Sequence, residues 1–365
     1  MSQLPLALPA VQFNTDLTAL TTLALIGRAA RLRVVRHDQH IEALLRAGDL
    51  AEPLWLLGGG SNVVVPEQVE GEVWQIANRG IRVVRETADA RWVRAAAGES
   101  WHEFVRTCVQ QGWHGLENLA LIPGTVGAAP VQNIGAYGLE VAERIASVRA
   151  YHRGQQRWHE LDAHDCQFGY RDSRFKREGG GQWIITDVTF RLPRDWQPRL
   201  TYPDLQRWPA WQQQAATPEA VFEAVCAIRQ AKLPDPATLP NAGSFFKNPV
   251  VSSAVVAHWR DLGWQVPAWP QPAGGLKVAA AWLIEQAGWK GRRLGPVGMH
   301  DRHALVLVNH GGARGADVVA LAHAVRTDVA RRFGVVLEVE PVWLGVSVPA
   351  ALTAAPPTPL AAQVR

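Results

Sequence analysis

A run of glycines early in the chain has the composition of an anion-binding loop. Gly58-Gly59-Gly60-Ser61-Asn62 directly follows the apolar run Leu54–Leu57. Consecutive glycines permit positive φ angles and leave backbone N–H groups uncovered, and such groups can line a nest for an anion. The Rossmann fingerprint requires a helix directly afterwards, whereas Val63–Val65 predicts a strand, and the Walker pattern is absent. The alternative interpretation is a plain tight turn between two strands.

A second segment rich in glycine, alanine and proline runs from Leu116 to Gly138 and is nearly free of charge. Its surface is too apolar for a solvated loop or linker, so it predicts a buried segment held against a ligand. Glycines and small side chains let the backbone approach a large flat ligand closely. Two such segments could hold a pyrophosphate from both sides, and the alternative is glycine-rich core packing.

These segments belong to a series of five motifs that resembles the UDP-N-acetylenolpyruvoylglucosamine reductases, flavoenzymes of peptidoglycan precursor synthesis. The resemblance covers roughly residues 14–345, and Leu200-Thr201-Tyr202-Pro203-Asp204 is similar to the tyrosine-bearing loop of the type I subgroup. Besides the glycine loop, the motifs are Gly115-Leu116-Glu117 with the Ile122–Gly138 segment, Phe168-Gly169-Tyr170-Arg171-Asp172-Ser173, Asn241-Ala242-Gly243-Ser244-Phe245-Phe246-Lys247-Asn248-Pro249, and Leu337-Glu338-Val339-Glu340.

The resemblance implies an α+β fold, in which a two-lobed FAD-binding module of the vanillyl-alcohol-oxidase type is joined to a separate α/β substrate-binding domain. We expect lobe 1 at residues 14–67, lobe 2 at 68–230 with a return strand at 335–346, and the substrate domain at 231–334. The Ala/Pro-rich tail from residue 349 to 365 is predicted to be disordered.

The resemblance also implies noncovalent FAD, reduced by NADPH, as the cofactor. The implied substrate is UDP-N-acetylglucosamine enolpyruvate, whose enolpyruvyl ether becomes the lactyl ether of UDP-N-acetylmuramate. No metal is expected. The residues expected to contact FAD are Gly58, Gly59, Gly60, Ser61, Asn62, Pro123, Gly124, Thr125, Gly127, Ala128, Ala129, Asn133, Gly135, Ala136 and Gly138.

Three residues match the catalytic positions of the family. Arg171 matches the arginine near the substrate carboxylate, and a guanidinium offers forked donors that are always charged. Ser244 matches the serine that protonates the carbanion. Glu340 matches the family's catalytic glutamate, for which we expect a raised pKa. Only the motif match distinguishes Glu340 from the nearby Glu338. The alternatives are a surface arginine, an ordinary turn serine and a solvent-facing glutamate.

Four further residues match positions that hold the nucleotide sugar. Tyr202, Lys232 and Asn248 would contact the diphosphate, and His303 stands where a glutamine also occurs in the family. Taken singly, a packing tyrosine and a surface lysine are the simpler interpretations, and for His303 a structural histidine is an equal alternative to a ligand contact. Closure of the Tyr202 loop and Lys232 over the UDP group would exclude water.

Helices and strands that position these residues can be predicted from periodicity. Ser100-Trp101-His102-Glu103 fits a capping box, Asp38 is expected to cap an earlier helix, and Thr217-Pro218-Glu219 is expected to open a helix that ends at Lys232. A hinge is expected there. Further elements are predicted at Leu54–Leu57, Val63–Val65, Val73–Ala77, Ile81–Val84, Trp92–Ala96, Leu305–Val308 and Val335–Val339 as strands, and at Lys277–Ala287 and Asp317–Phe333 as helices.

Composition limits the classes of partner. Lysine plus arginine exceed aspartate plus glutamate by 37 to 33, and without a long basic block this predicts no nucleic-acid partner. The apolar runs are too short for a membrane helix, and the three scattered cysteines are typical of a reducing cytoplasm. We expect a cytoplasmic monomer. Other readings are another FAD-dependent oxidase on the same module, a non-enzymatic nucleotide-sugar-binding protein and, least favoured, a dinucleotide-binding dehydrogenase.

Overall fold

Strands and helices alternate irregularly along the chain in the computed structural model, which describes residues 7–179, 181–212, 215–271 and 273–353. The strands are β1 Gln12–Asp16, β2 Arg28–Val35, β3 Leu54–Leu57, β4 Val63–Val64, β5 Gln68–Ile76, β6 Ile81–Glu86, β7 Ala90–Ala96, β8 Gly135–Ala136, β9 Leu139–Glu140, β10 Ile145–His152, β11 Arg157–Asp162, β12 Trp183–Pro193, β13 Asn241–Ser244, β14 Val250–Val251, β15 Ala268–Pro270, β16 Leu276–Val278, β17 Arg293–Leu294, β18 Val297–Met299, β19 Val306–Asn309 and β20 Val342–Trp343. The α-helices are α1 Gln39–Arg46, α2 Trp101–Gln110, α3 Arg174–Glu178, α4 Pro203–Gln206, α5 Pro218–Lys232, α6 Ser253–Asp261, α7 Ala280–Gln286, α8 Gly315–Phe333 and α9 Ala350–Thr353.

The chain divides into two compact units. Unit 1 contains residues 1–15, 29–60 and 70–231, and unit 2 contains residues 16–28, 61–69 and 232–365. Each unit is therefore built from segments that are far apart in sequence. The predicted domain borders stay a prediction, and this grouping differs from them in placing residues 16–28 and 61–69 with the C-terminal part of the chain.

Unit 1 is organised around two sheets. One has the strand order β1-β2-β5-β3, with β3 parallel to β5, and the other has the order β11-β10-β12-β7-β6 with antiparallel neighbours. Helix α2 contributes Trp101 and Phe104 to the core, where both rings pack against Phe190 of β12 at centroid distances of 5.8 and 5.0 Å. This packing fixes α2 and the residues directly before and after it.

Unit 2 contains the sheets β13-β19-β18-β17 and β14-β16-β15, and the parallel pair β20-β4. Its longest helix, α8, buries Val318, Leu321, Val325 and Val329. Their spacing of three or four residues gives one apolar face, as expected of an amphipathic helix. The helix ends at Gly334, whose φ of 69° is the left-handed conformation that closes many helices.

Most predicted strands and helices are present, and the differences have local causes. The strand predicted at Val335–Val339 is wrong, since only Val339 forms an isolated bridge, with Phe246. The helix predicted at Lys277–Ala287 begins only at Ala280, because Leu276–Val278 pairs with two other strands as β16. The tail predicted to be disordered contains α9, where Leu352 is 5% exposed, and residues 354–365 lie outside the described residues.

The predicted helix caps have mixed outcomes. The Thr217 hydroxyl accepts from the backbone N–H of Ala220 at 3.2 Å, so α5 is capped as predicted. Within the described residues, the side chain of Ser100 makes no capping hydrogen bond, although α2 begins at Trp101. Nor does Asp38 cap α1; its carboxylate instead pairs with Arg149 Nη1 at 2.8 Å. Asp317, the third residue of α8, accepts a hydrogen bond from the backbone N–H of Arg314 at 2.8 Å.

Candidate active site

The two glycine-rich segments meet in unit 1. A Cβ atom placed on Gly58 would lie 2.6 Å from Thr125 Oγ1, and one placed on Gly59 would lie 3.0 Å from Gly124 Cα. A Cβ on Gly127 would lie 2.4 Å from the Cβ of Ala97. At these distances a larger residue would overlap its neighbour, so the backbones approach each other as only glycine permits. The predicted juxtaposition of the two loops is therefore present.

Backbone hydrogen bonds hold the second glycine-rich segment to the start of α2. Trp101 N–H donates to Gly124 O at 3.0 Å, Val126 N–H donates to Glu99 O at 2.9 Å, and Gly127 N–H donates to Ala97 O at 2.9 Å. The φ of Gly124 is 118°, a conformation that favours glycine. The loop is thus anchored by backbone hydrogen bonds to the first residue of α2 and to the residues that lead into it.

The predicted flavin contacts differ in burial. Gly60, Gly127, Ala129 and Asn133 are buried, whereas the others are half-buried or exposed. The buried members can act by holding the segment in shape. The half-buried or exposed members are Gly58, Gly59, Ser61, Asn62, Pro123, Gly124, Thr125, Ala128, Gly135, Ala136 and Gly138, of which Ser61 and Asn62 are grouped with unit 2.

Asn133 shows how a buried residue supports the segment. Its Nδ2 donates to Glu140 Oε2 and to Gly169 O, both at 2.9 Å, and its Oδ1 accepts from Ala142 N–H at 3.1 Å. Asn133 is 1% exposed, and its side chain makes these hydrogen bonds inside the protein. The φ of Asn133 is 41°, a left-handed conformation that asparagine tolerates better than most residues.

Arg171 lies against the same segment. Its Nη2 donates to Gly135 O at 3.0 Å and its Nη1 to Asn133 O at 3.3 Å, while the guanidinium carbon is 5.2 Å from the centre of the Tyr170 ring. The φ of Arg171 is 54°, which is strained for an arginine. Strained backbone of this kind concentrates at functional sites. The head group is therefore held beside the loop expected to bind flavin.

Ser244 and Glu340 lie on adjacent backbone segments of unit 2. Ser244 ends β13, and the backbone N–H of Glu340 donates to the carbonyl of the next residue, Phe245, at 2.9 Å. Phe246 and Val339 form a bridge alongside. Both Ser244 and Glu340 are half-buried. The structure thus brings together two of the three predicted catalytic residues within one unit.

The two glutamates of the terminal motif have different surroundings. Glu338 is exposed and pairs with Lys247 Nζ, with its side chain 69% accessible. Glu340 is half-buried beside Phe245. A carboxyl that must keep a proton needs shelter from water. Glu340 is thus the better sheltered of the two carboxyls, and its catalytic role stays a prediction.

The four predicted substrate contacts are distributed over both units. In unit 2, burial and the positive charge of Lys232 lower the pKa of His303, and the Nδ1 of His303 has no hydrogen-bond partner within the described part of the chain. Asn248 Oδ1 accepts from Ala280 N–H at 2.9 Å and so holds the start of α7. In unit 1, Tyr202 is exposed, and its ring centre is 5.0 Å from that of Tyr137.

Two residues that the motifs did not single out contact the second glycine-rich segment. The backbone N–H of Leu121 donates to His102 Nδ1 at 2.9 Å, and Arg229 Nε donates to Leu121 O at 3.2 Å. His102 was predicted only as part of a capping box. Its position in the first turn of α2, next to the segment's anchor at Trp101, was the one signal in the sequence.

Comparison with known proteins identifies the family. A model of an FAD binding domain matches residues 29–155, and a model of the UDP-N-acetylenolpyruvoylglucosamine reductase C-terminal domain matches residues 235–344. The UDP-N-acetylenolpyruvoylglucosamine reductase of Bordetella pertussis is 54% identical over 331 residues, covering 90% of this chain and 93% of that protein. The chain belongs to the UDP-N-acetylenolpyruvoylglucosamine reductase family. The reductase of Paraburkholderia phytofirmans is 55% identical over 315 residues, with 86% of this chain and 91% of that protein covered.

A solved structure of the same family has a matching fold. The UDP-N-acetylenolpyruvylglucosamine reductase of Thermus caldophilus aligns with a TM-score of 0.63 and 25% identity, over 92% of this chain and 98% of that chain. The predicted fold class, an FAD-binding α+β module with a separate substrate domain, is confirmed, as is FAD as cofactor. Among the residues that the structure describes, no helix has the length and apolar character needed to cross a membrane.

Proposed function

We propose that this member of the family reduces the enolpyruvyl ether of UDP-N-acetylglucosamine enolpyruvate to UDP-N-acetylmuramate, with NADPH as the reductant. Family membership supports the reaction. The observation that carries the residue assignment is the backbone hydrogen bond from Glu340 to Phe245, which sets the predicted acid beside the predicted proton donor, Ser244.

The residues present fit a flavin. A Cβ on Gly58 would lie 2.6 Å from Thr125 Oγ1 and one on Gly59 would lie 3.0 Å from Gly124 Cα, and we propose that the N–H groups at this close approach hold the FAD pyrophosphate. Gly135, Ala136 and Gly138 offer small surfaces for the ring. When bound, FAD supplies the hydride chemistry that protein side chains lack.

We propose that Arg171 stabilises negative charge on the substrate. Addition of hydride to the methylene carbon leaves a carbanion next to a carboxylate, so charge accumulates on the carboxylate oxygens. A guanidinium has five N–H donors, and those that bond Gly135 O and Asn133 O fix its orientation. A charge held in place in this way needs little reorganisation during the reaction, which is how preorganised donors accelerate it.

Ser244 and Glu340 complete the proposal. The Ser244 hydroxyl donates its proton to the carbanion, which is basic enough to accept it at hydrogen-bond distance. Glu340, in its protonated form, donates a hydrogen bond to the developing dianion. Lys232, Asn248, His303 and Tyr202 are proposed to hold the nucleotide sugar.

Two half-reactions test this proposal. Purified protein with the absorbance of oxidised flavin should bleach with NADPH under nitrogen and recover its colour on addition of the enolpyruvyl nucleotide sugar. Recovery with oxygen but without this substrate would instead indicate an oxidase. A protein that binds the nucleotide sugar but is not bleached by NADPH would indicate a non-enzymatic binding protein.

Substitution of Ser244 tests its role as proton donor separately from the reduction of the flavin by NADPH. Ser244→Ala should leave bleaching by NADPH near normal and slow recovery by about 10²–10⁴-fold, the range for loss of a general acid. The control is Ser253→Ala, which changes an exposed serine of α6. If stopped-flow traces show both half-reactions of Ser244→Ala at the control rates, Ser244 has no part in the mechanism.

We also propose that the enzyme acts in the cytoplasm as a monomer. The three cysteines are free thiols, and two of them, Cys108 and Cys166, are buried. Free thiols are typical of a reducing compartment. Light scattering coupled to gel filtration should give the mass of one chain, about 40.0 kDa.

A further inference from the structure

A strained turn precedes the flavin loop. Leu121 has a φ of 57°, in the left-handed region that leucine rarely occupies. It is followed directly by Ile122, Pro123 and Gly124, which lead to the contact between Thr125 and Gly58. Backbone in this conformation persists only when its surroundings hold it there. The position of the flavin loop therefore depends on what holds Leu121.

Side chains from two helices bind both polar backbone groups of Leu121. Its N–H donates to His102 Nδ1 of α2 at 2.9 Å, and its carbonyl accepts from Arg229 Nε of α5 at 3.2 Å. The His102 ring is stacked on Phe222 of α5, with centroids 5.5 Å apart and planes 5° from parallel. This stacking fixes the direction of Nδ1. All four residues belong to unit 1.

The hydrogen bond from Leu121 requires a neutral His102. Nδ1 accepts the hydrogen bond from Leu121 N–H, so the neutral ring carries its hydrogen on Nε2. In the imidazolium form both nitrogens are donors, and Nδ1 would face the N–H of Leu121 with no lone pair. The charged groups that face the ring are Glu103 and Arg106 of α2 and Arg229 of α5.

We propose that His102 is a positioning residue for the flavin loop: its neutral imidazole holds the Leu121 turn in the conformation that binds FAD, and protonation of His102 releases the turn and weakens FAD binding. This rests on the assignment of the Pro123–Ala128 segment to FAD. A protein whose binding-competent conformation is less populated shows a proportionally lower apparent affinity.

The direction of the pH effect follows from the surroundings of His102. Burial, as the main cause, lowers its pKa below the usual value, the two arginines act in the same direction, and Glu103 opposes them. The imidazole is therefore neutral at neutral pH, and FAD affinity is highest there. Affinity falls as the pH is lowered below the usual histidine value, by at most about tenfold per pH unit because one proton is involved.

Two substitutions test the proposal through FAD dissociation constants, measured by flavin fluorescence on the apoprotein between about pH 5 and pH 8. His102→Asn keeps an acceptor oxygen near the position of Nδ1 but does not titrate, so its affinity should be close to wild type at pH 8 and nearly independent of pH. His102→Ala removes the acceptor and should bind FAD about tenfold more weakly than wild type at pH 8, with little dependence on pH, so that the two proteins converge on acidification. His323→Asn, which changes an exposed histidine of α8, should retain the wild-type pH dependence.

Each outcome has a distinct meaning. If His102→Asn weakens on acidification as the wild type does, another group titrates and the proposal is wrong. If His102→Ala binds FAD as the wild type does, the turn does not need His102. Thermal melts of the wild-type and variant apoproteins distinguish a loss of FAD affinity from a loss of folding. A wild-type protein that binds no FAD at all would instead overturn the proposed function.

Discussion

A single buried carboxylate, that of Glu72, organises one edge of unit 1. Its Oε1 accepts from Arg33 Nε at 2.8 Å and from Trp74 Nε1 at 2.7 Å, and its Oε2 accepts from Arg31 Nε at 2.9 Å. Glu72 is fully buried and stands opposite Leu54, the first residue of β3. Because β3 leads directly to Gly58, this network supports the strand that presents the first glycine loop.

Removal of the Glu72 charge should destabilise the protein strongly. Glu72→Gln keeps the size of the side chain but removes the buried counter-charge of Arg33, which is 5% accessible and would keep only the exposed Asp49 carboxylate, 2.6 Å from its Nη2. Breaking a buried ion pair from one side costs about 3–5 kcal/mol. Urea unfolding should show a lower midpoint with an unchanged slope.

A surface ion pair provides the control for that measurement. Arg46→Ala removes the pair with Glu42, in which the arginine side chain is 76% accessible, and should change stability by less than about 1 kcal/mol. Equal losses for the two variants would show that the Glu72 network contributes no more than a surface pair.

The resemblance named Arg171, Ser244 and Glu340 as the predicted catalytic residues, and their roles stay predictions; the residues alone could not rank neighbours of the same type. Only the resemblance distinguished Glu340 from Glu338 in the sequence. The structure adds a physical difference, because Glu338 is exposed and pairs with Lys247. His102 carried no comparable signal. Its partner Leu121 lies 19 positions further along the chain, and the contact exists only after α2 and the glycine-rich segment are folded together.

At the scale of elements, the contact between the two glycine loops makes a specific prediction. Gly58→Ala places a Cβ only 2.6 Å from Thr125 Oγ1, which is too close for either atom to stay where it is. Overpacking of this kind costs about 1–3 kcal/mol, so FAD affinity should fall by about 5- to 150-fold if the whole cost falls on the FAD-binding conformation. The double variant Gly58→Ala, Thr125→Ala removes the clashing atom and should recover part of that affinity.

The recovery is what identifies the contact. Gly154→Ala, in the turn between β10 and β11, places a Cβ 3.3 Å from the His152 side chain and 3.5 Å from Gln182 Oε1, with no backbone clash, and should leave FAD binding unchanged. If the double variant binds FAD no better than Gly58→Ala, the two loops do not determine affinity through this contact.

Elements were predictable where local and tertiary preferences agree. The Thr217 cap and the apolar stripe of α5 both indicated the same helix, and α5 has those bounds. The apolar run in Val335–Val339 indicated a strand, but the Leu337 carbonyl accepts a hydrogen bond from the buried Arg326 Nε at 2.8 Å. Arg326 Nη1 also donates to Ala351 O of α9 at 3.1 Å. A side chain thus replaces the ladder partner that sequence alone suggests.

At the scale of the whole molecule, unit 2 depends on two short segments from the N-terminal part of the chain. Asn309 Nδ2 donates to Leu23 O and Ala24 O, each at 3.0 Å, and Asn309 is 1% exposed. The N–H of Asn241 donates to Thr22 O at 2.9 Å, and β20 pairs in parallel with β4. Periodicity could not predict these contacts, because the paired residues are more than 200 positions apart.

This composite construction predicts how the chain responds to a cut at the end of α5. Residues 232–365 expressed alone should not unfold cooperatively, since buried Asn309 would lose both acceptors and β20 its partner strand. Buried polar groups left without partners cost about 1–3 kcal/mol each, a large part of the stability of a small unit. A full-length protein with a protease site inserted between Ala231 and Lys232 should, after cleavage, keep both pieces together in native gel filtration and separate them in urea. Native separation, with cooperative thermal unfolding of the C-terminal piece, would mean that the segments at 16–28 and 61–69 are dispensable for unit 2.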